Sequence, residues 1–417
     1  MKRWWNLATL LSRPRPRVGS TPAREIHREN KWRLLRYEPA PAPRGRPRTP
    51  VLLVPSLINR HYVLDLMPGK SFAEWLVGEG HDTYIVDWGT PDDEDRYLGF
   101  DDIVDGYLGR AIRRAAAAAG TERVHVLGYC LGGTLVAIHA AVRPEHVASL
   151  TLLAAPIGFH DDGLLSRWTR TRSLDVAALV AATGNVPWQL MQSAFQLLRP
   201  TMNLSKAVHL VDKAWDDEFL DGFLAIESWG NDNVSFPGAC YERYIQALYR
   251  DDALLAGTLS LSGQPVRLER IDCPLLAVTF EHDHIVPPRS AAVVLERVSS
   301  PDKVHLHLSG GHVGAVVSKK AASSLWPALS RFWLERDALG AAPTPKRAST
   351  PKRAPAPKRA PAPNAPAPSA PAPNAPAPKR APAPSAPAPK RAPAPKRAPA
   401  PKRAPAPKRA SRSRKVS

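Results

Sequence analysis

Cysteine is scarce: only Cys130, Cys240 and Cys273 occur in 417 residues. The number is odd and the spacing fits no metal site, so neither a disulfide framework nor a bound metal is expected, and a reducing compartment fits. Long apolar runs are missing as well. None approaches the roughly 18 residues that a membrane-spanning helix needs. The opening MKRWWNLATLLSRPRPR has a basic start and a short apolar stretch. It lacks a small-residue cleavage site and runs straight into Arg and Pro, so a cytoplasmic protein is expected rather than an exported one. Acidic residues are absent from 341–417, which hold nineteen Lys and Arg and therefore carry the whole net charge of +19. Residues 1–340 balance 38 basic against 38 acidic side chains. The extreme charge belongs to the tail, not to the body.

That tail repeats PKRAPA with PNAPAPSA spacers and holds 23 of the 45 prolines. Proline removes the backbone donor and blocks helix, and no large apolar residue is present to drive collapse. A disordered, extended, polyproline-like arm is expected over 341–417. At the other end, residues 1–49 are expected to form a separate basic segment with thirteen basic and three acidic side chains in the first fifty residues. Trp4, Leu7, Ala8 and Leu11 fall on one side of a short amphipathic helix, opposite Lys2, Arg3, Asn6 and Arg13. That pattern suits an oily interface or a docked helix equally well.

What is present from Val51 onward is a series of short apolar runs: VLLVPSLI, DTYIVDW, RVHVLGY, SLTLLAAP, PLLAVTF and KVHLHLS. Buried parallel strands read this way. Helical stretches alternate with them, among them SFAEWLVGEG, DDIVDGYLGRAIRRAAAAAG and GGTLVAIHAAVR. The expectation is an α/β domain over 50–340 with a mainly parallel sheet. The alternation lapses at about 158–265 into Trp-rich helical sequence, which reads as a cap.

Within RVHVLGYCLGGTLVAIHAA a strand ends near Gly128 and a helix begins past Cys130. G-x-C-x-G at that junction has the spacing of a nucleophile elbow, in which side chains two before and two after would collide with the turn. The helix N-terminus points its positive end at the sulfur. In this fold an acid and then a histidine follow the nucleophile. Asp283, in VTFEHDHIVPP, lies just past a strand, and His312, in HLHLSGGHVG, lies in a glycine-rich loop past the next. His282, His284, His305 and His307 are rivals for the base, and Asp161 and Asp162 for the acid. The flanking glycines and the spacing from Asp283 favour His312. The oxyanion is expected on the backbone amides of Leu131 and Ile58, with Leu57 close behind Ile58. Cys240 is expected to pack in the cap and Cys273 to open a strand. His61 is a further candidate for the site wall.

With these residues placed, the chain resembles the polyhydroxyalkanoate synthases of the α/β-hydrolase superfamily, in their short form. PSLINRHYVLDL, GHDTYIVDWGTPD, GYCLGG, FEHDHIVPP and SGGHVGAVVS carry the resemblance over roughly residues 30–338. It implies a helical cap, nucleophile Cys130, acid Asp283 and base His312. It implies (R)-3-hydroxyacyl-CoA as substrate, with no cofactor beyond the coenzyme A of that substrate. Only about fifty residues are expected before the first core strand, where long-form synthases carry a sizeable N-terminal domain. The resemblance to the short forms implies a second synthase subunit as partner. A polyester granule and a homodimer are further implied associations.

A thiol suits such chemistry. Thioester-to-thioester transfer is nearly even in energy, and attack by a 3-hydroxyl then runs downhill to an oxoester. Two other functions stay open at this stage: a thioesterase or polyester depolymerase on the same scaffold, and a non-catalytic granule organiser. The tail is expected to bind DNA, or polyphosphate in second place, through counterion release, or to serve only as a solubilising spacer.

Overall fold

The apolar runs read from the sequence form the middle of one eight-stranded sheet. The computed structural model describes residues 1–38, 49–171, 173–198 and 202–340. The strands are β1 (Ala23–Glu29), β2 (Trp32–Tyr37), β3 (Val51–Val54), β4 (Thr83–Asp87), β5 (Val124–Tyr129), β6 (Val147–Leu153), β7 (Leu275–Phe280) and β8 (Lys303–Leu308). Their spatial order is β1-β2-β4-β3-β5-β6-β7-β8. The strand β2 runs antiparallel to both neighbours, and all other pairings are parallel. This is the α/β-hydrolase arrangement. Strands β3, β4, β5 and β7 are buried along their full length, as a sheet covered on both faces requires.

Two of these strands overturn an expectation. Residues 1–49 are not a segment apart from the domain, and the first core strand does not wait until residue 51. The β1–β2 hairpin pairs with β4 at Arg33↔Asp87 through Arg36↔Tyr84, and Trp32, Leu34 and Tyr37 are buried. The spacer that follows falls largely in residues 39–48, outside the described residues, as does the expected arm 341–417.

The helices α2 (Phe72–Gly78), α3 (Leu108–Ala119) and α4 (Leu131–Val142) connect the first parallel strands. Every residue of α4 is buried, which explains why its sequence is apolar all round. A carboxyl-terminal helix, residues 325–340, closes the other face through Leu325, Trp326, Leu329, Phe332 and Trp333.

The insertion between β6 and β7 contains α5 (Leu164–Arg170), α6 (Val176–Thr183), α7 (Trp188–Leu197), α8 (Met202–Lys213), α9 (Asp217–Gly230) and α10 (Gly238–Arg243). Buried residues along this insertion, expected as a cap at about 158–265, lie in the same apolar core as α4, among them Val176, Val186, Phe236, Leu248 and Leu254.

Helix α1 (Lys2–Ala8) docks by its polar side. Asn6 is buried and donates to Ala214 O at 2.8 Å and to Asp217 at 3.1 Å. Lys2 pairs with Asp217 at 2.8 Å, and Arg13 reaches Asp217 and Asp221. Trp4 and Trp5 stay exposed, at 68% and 71%. Among the described residues no helix is long and apolar enough to cross a membrane.

Candidate active site

Register brings the site's loops together. Val54 pairs with Gly128, Leu153 with Val278, and Leu308 with Phe280. The loops carrying Ile58, Cys130, Asp283 and His312 therefore leave the sheet at the same edge, beyond the carboxyl ends of the parallel strands.

Cys130 is the turn between β5 and α4. Its backbone sits at φ 55° and ψ −131°, a conformation that costs a non-glycine residue about 1–3 kcal/mol. The turn is held by Cys130 N donating to Leu153 O at 3.0 Å and Gly133 N donating to Cys130 O at 2.9 Å. The glycines are steric requirements. A Cβ on Gly132 would run into Val54 O and lie 2.5 Å from Pro55 O, and one on Gly128 would lie 2.6 Å from Val136. Gly133, which the sequence argument did not require, would strike Ala155. Leu131 is the first residue of α4 and so has no acceptor one turn back for its amide,.

The Asp283 and His312 loops are joined by backbone bonds that continue the β7–β8 pairing. Glu281 N donates to Leu308 O and His282 N to Gly310 O, each at 2.9 Å. His312 Nδ1 lies 2.7 Å from Asp283 Oδ2, and both residues are buried. The other carboxylate oxygen accepts the amides of Ile285 and Val286 at 2.9 and 2.8 Å. These bonds fix the carboxylate and direct it at one ring nitrogen. The His312 imidazole also feels the charge of Cys130. Burial alone would push the imidazole pKa down. The charges of Cys130 and Asp283, with the hydrogen bond to Asp283, outweigh that and raise it to about 10,.

The rivals take other partners. His282 and His284 are exposed, and His305 and His307 both bond Thr279 Oγ1, at 2.9 and 2.8 Å. Asp161 accepts the Gly163 amide at 2.7 Å and, with Asp162, lines an open groove of about 710 Å³. His61 pairs with Asp87 at 3.2 Å, beside Arg33. Cys240 is buried in the core, and burial pushes the half-buried Cys273 thiol up to about 12. Neither is part of the constellation.

Sequence reading missed the aromatic residues around it. Tyr129 stacks on His312 with ring centroids 5.2 Å apart, and its hydroxyl donates to His312 O at 3.2 Å. Tyr244 and Tyr249 lie in a π-helical stretch, residues 244–250, a distortion frequent at functional sites. Burial chiefly raises both phenols, and the charge of Cys130 is among those they feel. With Phe159 and Phe236 they make an apolar wall, Phe159–Tyr249 at 4.8 Å and Phe236–Tyr244 at 5.6 Å. The only hint in sequence was the density of aromatics after residue 235.

Residues 49–317 match the α/β-hydrolase fold model, and residues 16–76 match that of the poly-beta-hydroxybutyrate polymerase (PhaC) N-terminus. The chain is 35% identical to the poly(3-hydroxyalkanoate) polymerase subunit PhaC of Allochromatium vinosum, across 76% of this chain and 90% of that one. The chain belongs to the PhaC family. The corresponding subunit of Haloferax mediterranei is also 35% identical, over 79% of this chain and 67% of its own. That of Synechocystis is 31% identical, over 76% and 86%. The PhaC N-terminus match spans β1, β2, β3 and the loop after β3. The hairpin that composition alone assigned to a separate segment is therefore part of the family's domain. PhaC is a family of acyltransferase-type polymerases on the α/β-hydrolase scaffold.

Proposed function

We propose that the chain polymerises (R)-3-hydroxyacyl-CoA into a polyester, with release of coenzyme A and with Cys130 carrying the acyl group as a thioester. His312 accepts the thiol proton, the sulfur adds to the substrate carbonyl, and the amides of Leu131 and Ile58 hold the oxyanion. The C–S bond to coenzyme A breaks, and its thiolate leaves with the proton from His312. In elongation His312 takes the proton of a 3-hydroxyl, whose oxygen attacks the waiting acyl carbon and forms the ester as the C–S bond to Cys130 breaks, and the freed Cys130 sulfur takes that proton back from His312. Asp283 holds the imidazole tautomer and compensates its charge throughout. The aromatic wall keeps water from the thioester. Coenzyme A enters with the substrate and leaves as product, and no further cofactor is required.

One observation carries this reading: the buried His312 imidazole bonded to Asp283 at 2.7 Å and stacked at 5.2 Å on Tyr129, the residue before Cys130. The purified full chain with 3-hydroxybutyryl-CoA is expected to give free coenzyme A and polymer in step, and Cys130→Ala to give neither. Free hydroxy acid without polymer would identify a hydrolase instead, and unaltered turnover by Cys130→Ala would remove the thiol from the reaction.

The associations belong to the same proposal. The protein works at the surface of a polyester granule, with a second synthase subunit or a second copy of itself. The basic arm 341–417 binds DNA, or polyphosphate as the alternative polyanion.

A further inference from the structure

The loop that leaves β3, residues 55–62, has little holding it from within. Its own backbone bonds are long: Asn59 N to Ser56 O at 3.4 Å and Val63 N to Arg60 O at 3.5 Å. Its shape comes from elsewhere. Six consecutive residues at the end of α9, Trp229–Val234, bond it at four positions. Val234 N donates to Ile58 O at 3.4 Å. Asn59 Nδ2 donates to Asn233 Oδ1 at 2.6 Å, while Asn233 Nδ2 is held by Gln192 and Gly230 O, each at 2.9 Å. Asp232 accepts Arg60 Nε at 3.1 Å and the Tyr62 hydroxyl at 2.7 Å. Trp229 Nε1 donates to Arg60 O at 3.0 Å.

The position of this loop matters for chemistry. It starts beside the elbow, since Gly132 packs directly on Val54 O and Pro55 O, and it carries the Ile58 amide. An oxyanion donor works only if fixed before charge develops, and a displacement of a fraction of an ångström weakens it steeply. Ala225 and Trp229 of α9 meanwhile belong to the apolar cluster that includes Tyr129 and borders Cys130.

We infer that Asp232 and Asn233 are positioning residues for acyl transfer: they fix the loop that presents the Ile58 amide and make that donor depend on the seating of α9. Thioester chemistry is then competent only when the cap is down and water is excluded. The inference rests on the proposed thioester mechanism and goes beyond it by assigning the cap an electrostatic task.

The test compares two reactions of Cys130 in the full chain. Alkylation by iodoacetamide displaces iodide at a saturated carbon and forms no oxyanion. The first-turnover release of coenzyme A from 3-hydroxybutyryl-CoA does form one. Asn233→Ala and Asp232→Ala are expected to alkylate within about twofold of the parent, but to release coenzyme A about 10- to 100-fold more slowly with KM nearly unchanged, less than deletion of an oxyanion donor costs. Tyr62→Phe, which removes one hydroxyl from Asp232 and leaves the core intact, is expected to show the same split at about three- to tenfold. Asn233→Asp keeps the acceptor for Asn59 and should recover part of the loss. Coenzyme A release within twofold of the parent in folded Asp232→Ala, Asn233→Ala or Tyr62→Phe would overturn the inference, as would equal slowing of both reactions. Failure of the parent itself to release coenzyme A would instead refute the mechanism beneath it.

Discussion

Tyr129 and His312 are joined twice, ring against ring at 5.2 Å and 27°, and hydroxyl to main-chain carbonyl at 3.2 Å. A residue of β5 thus sets both the plane of the imidazole and the backbone that carries it. Removing the hydroxyl and removing the ring should therefore differ. Tyr129→Phe keeps the stack and is expected to cost about 1 kcal/mol of stability with less than a tenfold loss in coenzyme A release. Tyr129→Ala also opens a cavity, at about 3–5 kcal/mol, and should lose most activity. Urea unfolding beside steady-state assays separates the two.

The raised pKa of His312 predicts a pH dependence of stability. Its folded value of about 10 exceeds the ordinary 6.5, so its contribution is full below about pH 6.5 and is lost as pH rises toward 10,. His139 has the opposite sign. Burial drives its pKa down to about 4, so acidification from 6.5 toward 4 costs stability, because only the unfolded chain takes up the proton. Unfolding free energy should thus decline on both sides of neutrality. Cys130→Ala removes one of the charges that raise His312, so its imidazole should titrate lower when followed by NMR.

The elbow leaves no room for a methyl group. Gly132→Ala must push the first turn of α4 away from Val54 and Pro55, at a cost of about 2 kcal/mol or more. Coenzyme A release should fall at least about 100-fold even at temperatures where the protein stays folded. Thermal unfolding and activity on one preparation test both parts.

Helix α1 presents its tryptophans outward while Asn6, Lys2 and Arg13 anchor it. Trp4→Ser with Trp5→Ser should leave unfolding unchanged to within about 0.5 kcal/mol and weaken sedimentation with polyester particles. Sedimentation equal to that of the parent would remove α1 from granule contact.

The charge of residues 341–417 leads to a salt-sensitive prediction. The full chain should shift random DNA in a gel at low salt, and a fourfold rise in salt should reduce this by orders of magnitude. A chain ending at residue 340 should not shift it. Identical shifts for both would leave the arm as a spacer.

The central strands, the sharp turn at Cys130 and the loops that bring Asp283 and His312 together were legible because their physics is local. Strands buried on both faces read as apolar runs, and an elbow needs small residues at fixed offsets. The β1–β2 hairpin was hidden because an edge strand such as AREIHRE is half charged and sits among Arg and Pro. Which side of α1 would dock was unreadable for a different reason: the partners of Asn6, Ala214 and Asp217, are more than 200 residues away. The bonds between Asp232, Asn233 and the loop after β3 were likewise invisible, since nothing in either segment announces the other.

The outer strand β1 carries Arg24, Glu25, Arg28 and Glu29, with Arg28 paired to Glu25. Adding another strand to that side would strip water from this mixed row of charges, so the sheet resists lateral growth there. For an enzyme proposed to crowd onto a water-insoluble product, that edge is a safeguard against the chains fusing with one another as they accumulate.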